Sequence, residues 1–213
     1  MRVPTHIGVI PDGNRRWAAE QGFAKEQGYT SGIDPGLALF RLCQQVGVEE
    51  LTFYGFTVDN VRRPREQRTA FTQACVQAVD VLSKEDATLL VVGNSESPVF
   101  PDELRAFTTR QCFGKGGVNV NFLINYGWEW DLSSLRRDGT SRTNVASQLR
   151  SADVSRIDLI IRWGGRRRLS GFLPVQSVYA DFFVVDAYWP DFRPEHFAAA
   201  LEWYQGQDIT LGG

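Results

Sequence analysis

Cysteine, histidine and long apolar runs are all scarce in this chain, and each scarcity excludes something. The three cysteines, Cys43, Cys75 and Cys112, form no CxxC pair. Cys43 and Cys75 also fall on helical apolar stripes, so neither a disulfide framework nor a cysteine metal site is expected. The two histidines, His6 and His196, lie far apart, which excludes a histidine-rich metal centre. No apolar stretch approaches the roughly 18 residues needed to cross a bilayer. With no signal-peptide pattern either, the expectation is a reducing, cytoplasmic setting and no transmembrane segment. Net charge is small as well: 23 Lys and Arg against 25 Asp and Glu leave a formal −2. That balance supplies no general electrostatic reason to bind nucleic acid, and no nucleic-acid partner is expected. Any anion must be met by local clusters, of which there are two, Arg62-Arg63-Pro64-Arg65 and Arg166-Arg167-Arg168.

What is present suits one domain spanning 1–213, since 43% hydrophobic residues over that length support a sizeable core. Apolar runs predict strands at 6–10, 50–57, 87–92, 118–125, 157–162 and 181–185. Between them, Leu39, Leu42, Cys43 and Val46 recur at helical spacing, as do Phe71, Cys75, Ala78 and Leu82. Pro194 suits a first helical turn, followed by the stripe Phe197, Leu201 and Tyr204. Strands alternating with helices predict an α/β fold, a central mostly parallel sheet covered on both faces. The segment 132–156 reads as a poorly ordered or short helical connection.

In such sheets ligands sit beyond the carboxyl ends of the strands. That rule selects three polar segments. In the first, Ile7 to Ile10 form a strand that breaks at Pro11-Asp12-Gly13-Asn14, and a helix starts at Arg15-Arg16. Free amides at a helix start favour an anion, yet Asp12 repels one unless a divalent cation stands between them. The economical reading is Mg²⁺ holding a diphosphate, with Asn14, Arg15 and Arg16 as donors; a plain Pro-Asp-Gly turn is the alternative. The second segment, Phe56 to Pro64, places Thr57, Asp59 and Asn60 at a strand exit, either to orient a substrate or simply to cap the next helix. In the third, Gly164 and Gly165 let the backbone approach a ligand while Arg162, Arg168 and Ser170 surround a phosphate. A solvated basic loop is the alternative there. Asp181 opens the next strand as a cap or a second metal ligand. Tyr29, in Gly28-Tyr29-Thr30-Ser31-Gly32, is a packed aromatic or an acid–base group.

The ordered series HxxxxPDGNxRWA, LTxYxFTxDNxxRP, DLIIRxGGxxRLSxFLxxQxxYAD and WPDF resembles the cis-prenyltransferases, typified by undecaprenyl diphosphate synthase, from about residue 5 to 205. The resemblance implies a Mg²⁺-dependent, homodimeric synthase that joins isoprenoid diphosphates, with a central parallel sheet and an apolar product tunnel. It implies that Asp12 is the Mg²⁺-associated aspartate and that Gly13, Asn14, Arg15, Arg16 and Lys25 hold the allylic diphosphate. Arg162, Arg168 and Ser170 match the second diphosphate site, and Asp181 stands where the family carries a metal-binding glutamate. Thr57, Asn60 and Arg63 match polar residues flanking the two sites.

Several positions depart from the family pattern. Tyr29 replaces the histidine of a Gly-His-x-x-Gly segment, Val61 replaces an aromatic, and Arg166 replaces a glutamate. Lys25 replaces an arginine, keeping the charge and losing the fork. The ending Ile209-Thr210-Leu211-Gly212-Gly213 lacks the arginine of the family's basic tail. These changes gather around the second substrate. Ordinary elongation removes a proton from C2 of isopentenyl diphosphate; coupling through C2 of dimethylallyl diphosphate removes one from a neighbouring carbon instead. Shifting the target by roughly 1.5–3 Å defeats an acid–base group placed for the first reaction. The Tyr-for-His change is similar to that of the irregular, lavandulyl-type branch, and the expectation is head-to-middle coupling of dimethylallyl with geranyl (or dimethylallyl) diphosphate, isosesquilavandulyl synthesis being the nearest suggestion. The candidate catalytic set is Asp12, Tyr29, Thr57 and Asn60. An ordinary short-chain Z-prenyl synthase and a non-catalytic partner subunit are the alternatives.

Overall fold

The computed structural model describes residues 2–136 and 142–208, with only the backbone of 142 and 143. The six predicted strands are present, generally shorter at their ends: β1 His6–Ile10, β2 Glu50–Tyr54, β3 Ala87–Val92, β5 Val118–Leu123, β6 Leu159–Arg162 and β7 Asp181–Val184. A seventh, β4 Gln111–Phe113, was not expected, because three residues are too short to show a period-2 alternation. β5 gives way at Ile124-Asn125, where Asn125 turns into the left-handed region (φ 52°). The sheet order is β4-β3-β5-β2-β1-β6-β7, with every pairing parallel except β3 with β4.

The chain lays β2 on one side of β1 and later returns to lay β6 on the other side. The direction of winding therefore reverses at β1, and such a reversal opens a crevice beyond the carboxyl ends of the strands. The residues that follow β1 and β2 and that end β6 meet there.

Alternation along β1 explains the two layers. Ile7 and Val9 point into a core shared with Leu39, Phe40 and Cys43 of α3 (Ile33–Val46), Val79 and Leu82 of α4 (Arg65–Leu82) and Phe197 and Leu201 of α7 (Pro194–Gln205). Ile10 points to the other face, where Tyr126, Val154, Ile157, Phe172 and Leu173 cover it. Whereas the first face is covered by the longer helices α3, α4 and α7, that second cover is built from loops and the short α5 (Trp128–Leu132). The carboxylate of Asp131 organises it, accepting hydrogen bonds from the Tyr126 hydroxyl (2.8 Å) and from the Ser151 amide (2.9 Å) and hydroxyl (2.7 Å). Residues 149–156 are thus pinned by buried polar contacts, which composition alone did not reveal. α6 (Arg142–Gln148) precedes them; residues 137–141 of the expected connection lie outside the described residues.

At the amino end of the sheet, His6 is fully buried. Its Nδ1 lies 3.1 Å from the Ser155 carbonyl, an acceptor only, so this nitrogen carries the proton. Its Nε2 lies 2.7 Å from Thr52 Oγ1, a hydroxyl that accepts from the Asn121 amide and therefore donates to the ring. The network is satisfied by a neutral imidazole. Burial holds the His6 pKa below the usual value, against the pull of Glu50. A lowered folded-state value means the unfolded chain binds the proton first, so stability is lost as pH falls below about 6.5. We expect thermal unfolding midpoints to drop between pH 7 and pH 5, and His6→Gln to flatten that slope.

Candidate functional site

The crevice at the β2, β1 and β6 ends is a cleft of about 540 Å³. Asp12 leaves β1 at its floor. Gly13 follows with φ 106° and begins α1 (Asn14–Glu20). That backbone conformation suits glycine, and the Tyr188 ring lies where a side chain would stand, with a Cβ only 2.6 Å from Tyr188 Cδ1. α1 has seven residues, so the positive potential here comes chiefly from side chains rather than from a long helix dipole.

Arg162, the last residue of β6 and 4% exposed, is the hub. Its Nη2 donates to Asp12 Oδ2 at 2.8 Å, and its Nη1 donates to Ser170 Oγ at 3.0 Å and to the Arg168 carbonyl. The loop after β6 is thereby folded back over the strand that precedes it. Ser170 takes a left-handed conformation (φ 54°), and the Tyr54 hydroxyl donates to its carbonyl at 2.7 Å. Gly164, at φ 84°, allows Arg16 Nη2 to reach its carbonyl at 2.9 Å; a Cβ there would stand 2.6 Å from that nitrogen.

Asp12 is ionised at neutral pH. Burial works to raise its pKa, but the Arg162 hydrogen bond and charge, the Arg16 charge and the Gly13 amide together hold it below the ordinary carboxylate value. The Gly13 amide donates to Oδ1 at 2.6 Å and Arg16 stands 3.5 Å from the same oxygen. An ionised, partly exposed carboxylate among arginines suits Mg²⁺, which takes one or two carboxylates and completes its shell with water and phosphate oxygens. No group of three His, Cys, Asp or Glu side chains able to hold a metal occurs among the described residues.

Asp181 does not belong to this constellation. It opens β7 level with Leu159, at the amino end of the parallel sheet, and pairs with Arg2 at 3.7 Å. Asp12 lies beyond the opposite end, so about five residues of strand, roughly 16 Å, separate the two in one chain. The expected pairing of Asp12 and Asp181 on one metal is not formed within the chain. The reason is topological: a parallel strand puts its first and last residues on opposite edges.

The other predicted residues line the cleft: Gly13, Asn14, Arg15, Arg16, Lys25, Tyr29, Thr57, Asn60, Arg63, Arg168 and Ser170. Tyr29 stacks on Phe71, ring centroids 4.5 Å apart and 5° from parallel, so the packed-aromatic reading holds. Its hydroxyl also accepts from Arg63 Nη1 at 2.9 Å. Burial, outweighing the nearby Arg63 and Arg15 charges, raises its pKa above the ordinary tyrosine value. Tyr29 is a hydrogen-bond donor at neutral pH and not a base. Asn60 turns its carbonyl oxygen to the Thr57 amide at 3.0 Å, closing the 3-10 turn Val58–Arg62, which leaves its NH₂ end for a ligand. Asn14 donates to the Pro11 carbonyl at 2.8 Å, while its own Oδ1 is buried without a partner.

Tyr54, Phe71 and Arg166 also line the cleft but were read as strand, helix stripe and mere departure. Tyr54 closes β2 and Phe71 lies on α4, so only the packing reveals where they face. Among the lining side chains, seven cations (Arg15, Arg16, Lys25, Arg63, Arg162, Arg166, Arg168) stand against two carboxylates (Asp12, Asp59). An apolar pocket of about 80 Å³ adjoins the cleft, sharing Pro11, Asn14, Tyr29, Gly55 and Phe71 with it and running between Phe53, Cys75, Leu82 and Phe122.

Arg162→Lys tests the hub without reference to activity. One ammonium cannot span Asp12, Ser170 and the Arg168 carbonyl together. The Asp12 carboxyl, followed by NMR titration, should then ionise at a higher pH than in the parent. An unchanged titration would show that Arg16 and the Gly13 amide suffice.

Comparison with known proteins agrees with this arrangement. Residues 10–212 match the prenyltransferase family described as "Putative undecaprenyl diphosphate synthase". Ditrans,polycis-undecaprenyl-diphosphate synthase ((2E,6E)-farnesyl-diphosphate specific) of Aliivibrio fischeri is 29% identical, covering 99% of this chain and 89% of the relative. The protein of the same name from Pseudomonas putida is 31% identical over 99% of this chain and 91% of its own. Among solved structures, lavandulyl diphosphate synthase from Lavandula x intermedia, in complex with dimethylallyl diphosphate, shares the fold, with a TM-score of 0.86 at 20% identity over 99% of this chain and 98% of that one. A carboxylate and a ring of arginines at the switch point of this sheet, matched over nearly the whole chain, place it in the cis-prenyltransferase (undecaprenyl diphosphate synthase) family of prenyltransferases.

Proposed function

We propose that this prenyltransferase couples two short isoprenoid diphosphates head-to-middle, dimethylallyl with geranyl (or a second dimethylallyl) diphosphate, with Mg²⁺ as cofactor. The observation that carries the reading is the cleft's charge, seven cations to two carboxylates, beside a small apolar pocket. Two diphosphates and one divalent cation balance such a site. The apolar pocket opens from the cleft between Phe53, Cys75, Leu82 and Phe122, where the tail of a diphosphate held in the cleft would lie. The protonated, packed Tyr29 in place of a histidine supports a changed deprotonation step. No described helix is long and apolar enough to cross a membrane, and a cytoplasmic homodimer is part of the proposal.

When bound at Asp12, Mg²⁺ supplies charge to the departing diphosphate. Arg15, Arg16, Lys25 and Arg63 hold that diphosphate and stabilise the negative charge it gains as the C1–O bond breaks. Arg162, Arg168 and Ser170 hold the acceptor diphosphate. The acceptor's C2=C3 π electrons form the new bond to the allylic C1, leaving a tertiary cation at C3. A proton leaves a carbon next to C3 for an oxygen of the released pyrophosphate, closing the new double bond. Tyr29 donates to the diphosphate and orients it; Thr57 and Asn60 flank the acceptor.

Ordinary elongation with isopentenyl diphosphate is the second reading, favoured by the undecaprenyl synthases among the relatives. The two are separated by incubating the pure protein with Mg²⁺ and dimethylallyl diphosphate, with and without geranyl and isopentenyl diphosphates. NMR of the dephosphorylated alcohols should show a branched lavandulyl skeleton; linear Z alcohols support elongation, and no turnover supports a partner-subunit role. Asp12→Ala should lower kcat by about 10²–10³-fold with the fold intact by circular dichroism. Full activity would remove Asp12 from the mechanism.

A further inference from the structure

Tyr188 packs beside the cleft and has no part in the mechanism above. Tyr188, in the segment after β7, lies against the first turn of α1. Its Cβ, Cγ and Cδ1 come within 3.1 Å of where a Gly13 side chain would begin. The Arg16 guanidinium lies over its ring, 4.9 Å from the centroid. Its hydroxyl donates to Glu20 Oε1 at 2.5 Å, one turn further along the same helix. The flanking backbone is tied to the cleft on both sides. The Trp189 amide donates to the Asp12 carbonyl at 3.0 Å, and the Gly164 amide donates to the Ala187 carbonyl at 2.8 Å.

Arg16 is a long side chain with more than a third of its surface exposed, and a free arginine of that kind samples many rotamers. Here its orientation is restricted by three contacts. Nη2 is committed to the Gly164 carbonyl, the same nitrogen faces Asp12, and the guanidinium carbon lies over the Tyr188 ring. Nη1 and Nε make no hydrogen bond among the described residues, so that edge of the fork is left for an anion. A guanidinium held over a ring while one nitrogen is hydrogen-bonded has little freedom left, and that restriction sets where its remaining N–H bonds point.

We propose that Tyr188 is a positioning residue, whose ring holds the Arg16 guanidinium so that its free edge meets the leaving diphosphate. The proposal rests on reading the cleft as a diphosphate site. It assigns the hydroxyl–Glu20 bond the lesser part of keeping the ring seated on Gly13. Arg16 is thereby organised before the substrate arrives, and the benefit appears as affinity for the diphosphate, not as a change in the bond-making step.

Calorimetric titration with inorganic pyrophosphate at fixed Mg²⁺ tests it in the parent protein, Tyr188→Phe, Tyr188→Leu, Arg16→Ala and the Tyr188→Leu/Arg16→Ala double variant. Tyr188→Leu should weaken binding about fivefold to thirtyfold, in line with a partly desolvated cation–π contact. Tyr188→Phe should stay within about threefold of the parent, and the leucine change should have no further effect once Arg16 is alanine. In turnover, KM for the allylic diphosphate should rise with Tyr188→Leu while KM for the acceptor does not. No pyrophosphate binding by the parent overturns the reading of the cleft itself. Parent-like binding by Tyr188→Leu overturns the role of Tyr188 alone. Equal losses in the phenylalanine and leucine variants, or a loss that persists without Arg16, overturn it as well, since both would place the effect elsewhere than in the stacked guanidinium.

Discussion

One buried guanidinium joins the end of β1 to the end of β6. Arg162 gives one nitrogen to Asp12 and another to Ser170 and the Arg168 carbonyl, so a carboxylate and the loop after β6 share a single rigid fork. Breaking such a pair costs about 3–5 kcal/mol when both partners are buried; a third of the Asp12 side chain is exposed, so the cost here is smaller. The coupling matters more than the energy. The segments that follow β1 and β6 are held at a set separation because one side chain contacts both.

The remaining features follow from placing so much positive charge in one crevice. Arg63 is half-buried beside Arg15 without a carboxylate at ion-pair distance among the described residues, and its partial burial presses against its charge. An anion relieves that cost. Meanwhile the same cations keep Asp12 ionised although burial opposes it, and a carboxylate held ionised among arginines is what a divalent cation needs in order to bind there. Polar and apolar cavities share Asn14, Tyr29 and Phe71 at their junction, so a molecule with a charged head and an apolar tail has one way to lie.

Much of this was legible in the residues because it is local. Apolar runs at 6–10, 50–57 and 157–162 stop shortly before Asp12, at Thr57 and at Arg162, and mark three strand exits. The rule that ligands gather beyond strand ends then brings the three segments together before any coordinates exist. The rule does not select Asp181, which opens a strand instead of closing one and so lies on the other edge; only the resemblance to the family brought it to the site. The rule is silent about Tyr54 and Tyr188, whose neighbours in space are about 116 and 168 residues away in the chain. It is equally silent about β4, too short to carry a period, and about Asp131, which pins a polar segment through contacts some 20 residues distant.

Sequence by itself determined the class of fold, the three segments of the site and the types of chemical group they bring, since periodicity and the residues at strand ends are properties of short stretches. Tertiary structure alone decided that Arg162 clasps Asp12, that Tyr29 is a buried donor stacked on Phe71, and that Asp181 stands apart. Those outcomes depend on burial and on which strand lies beside which, and both are set by packing between residues far apart along the chain.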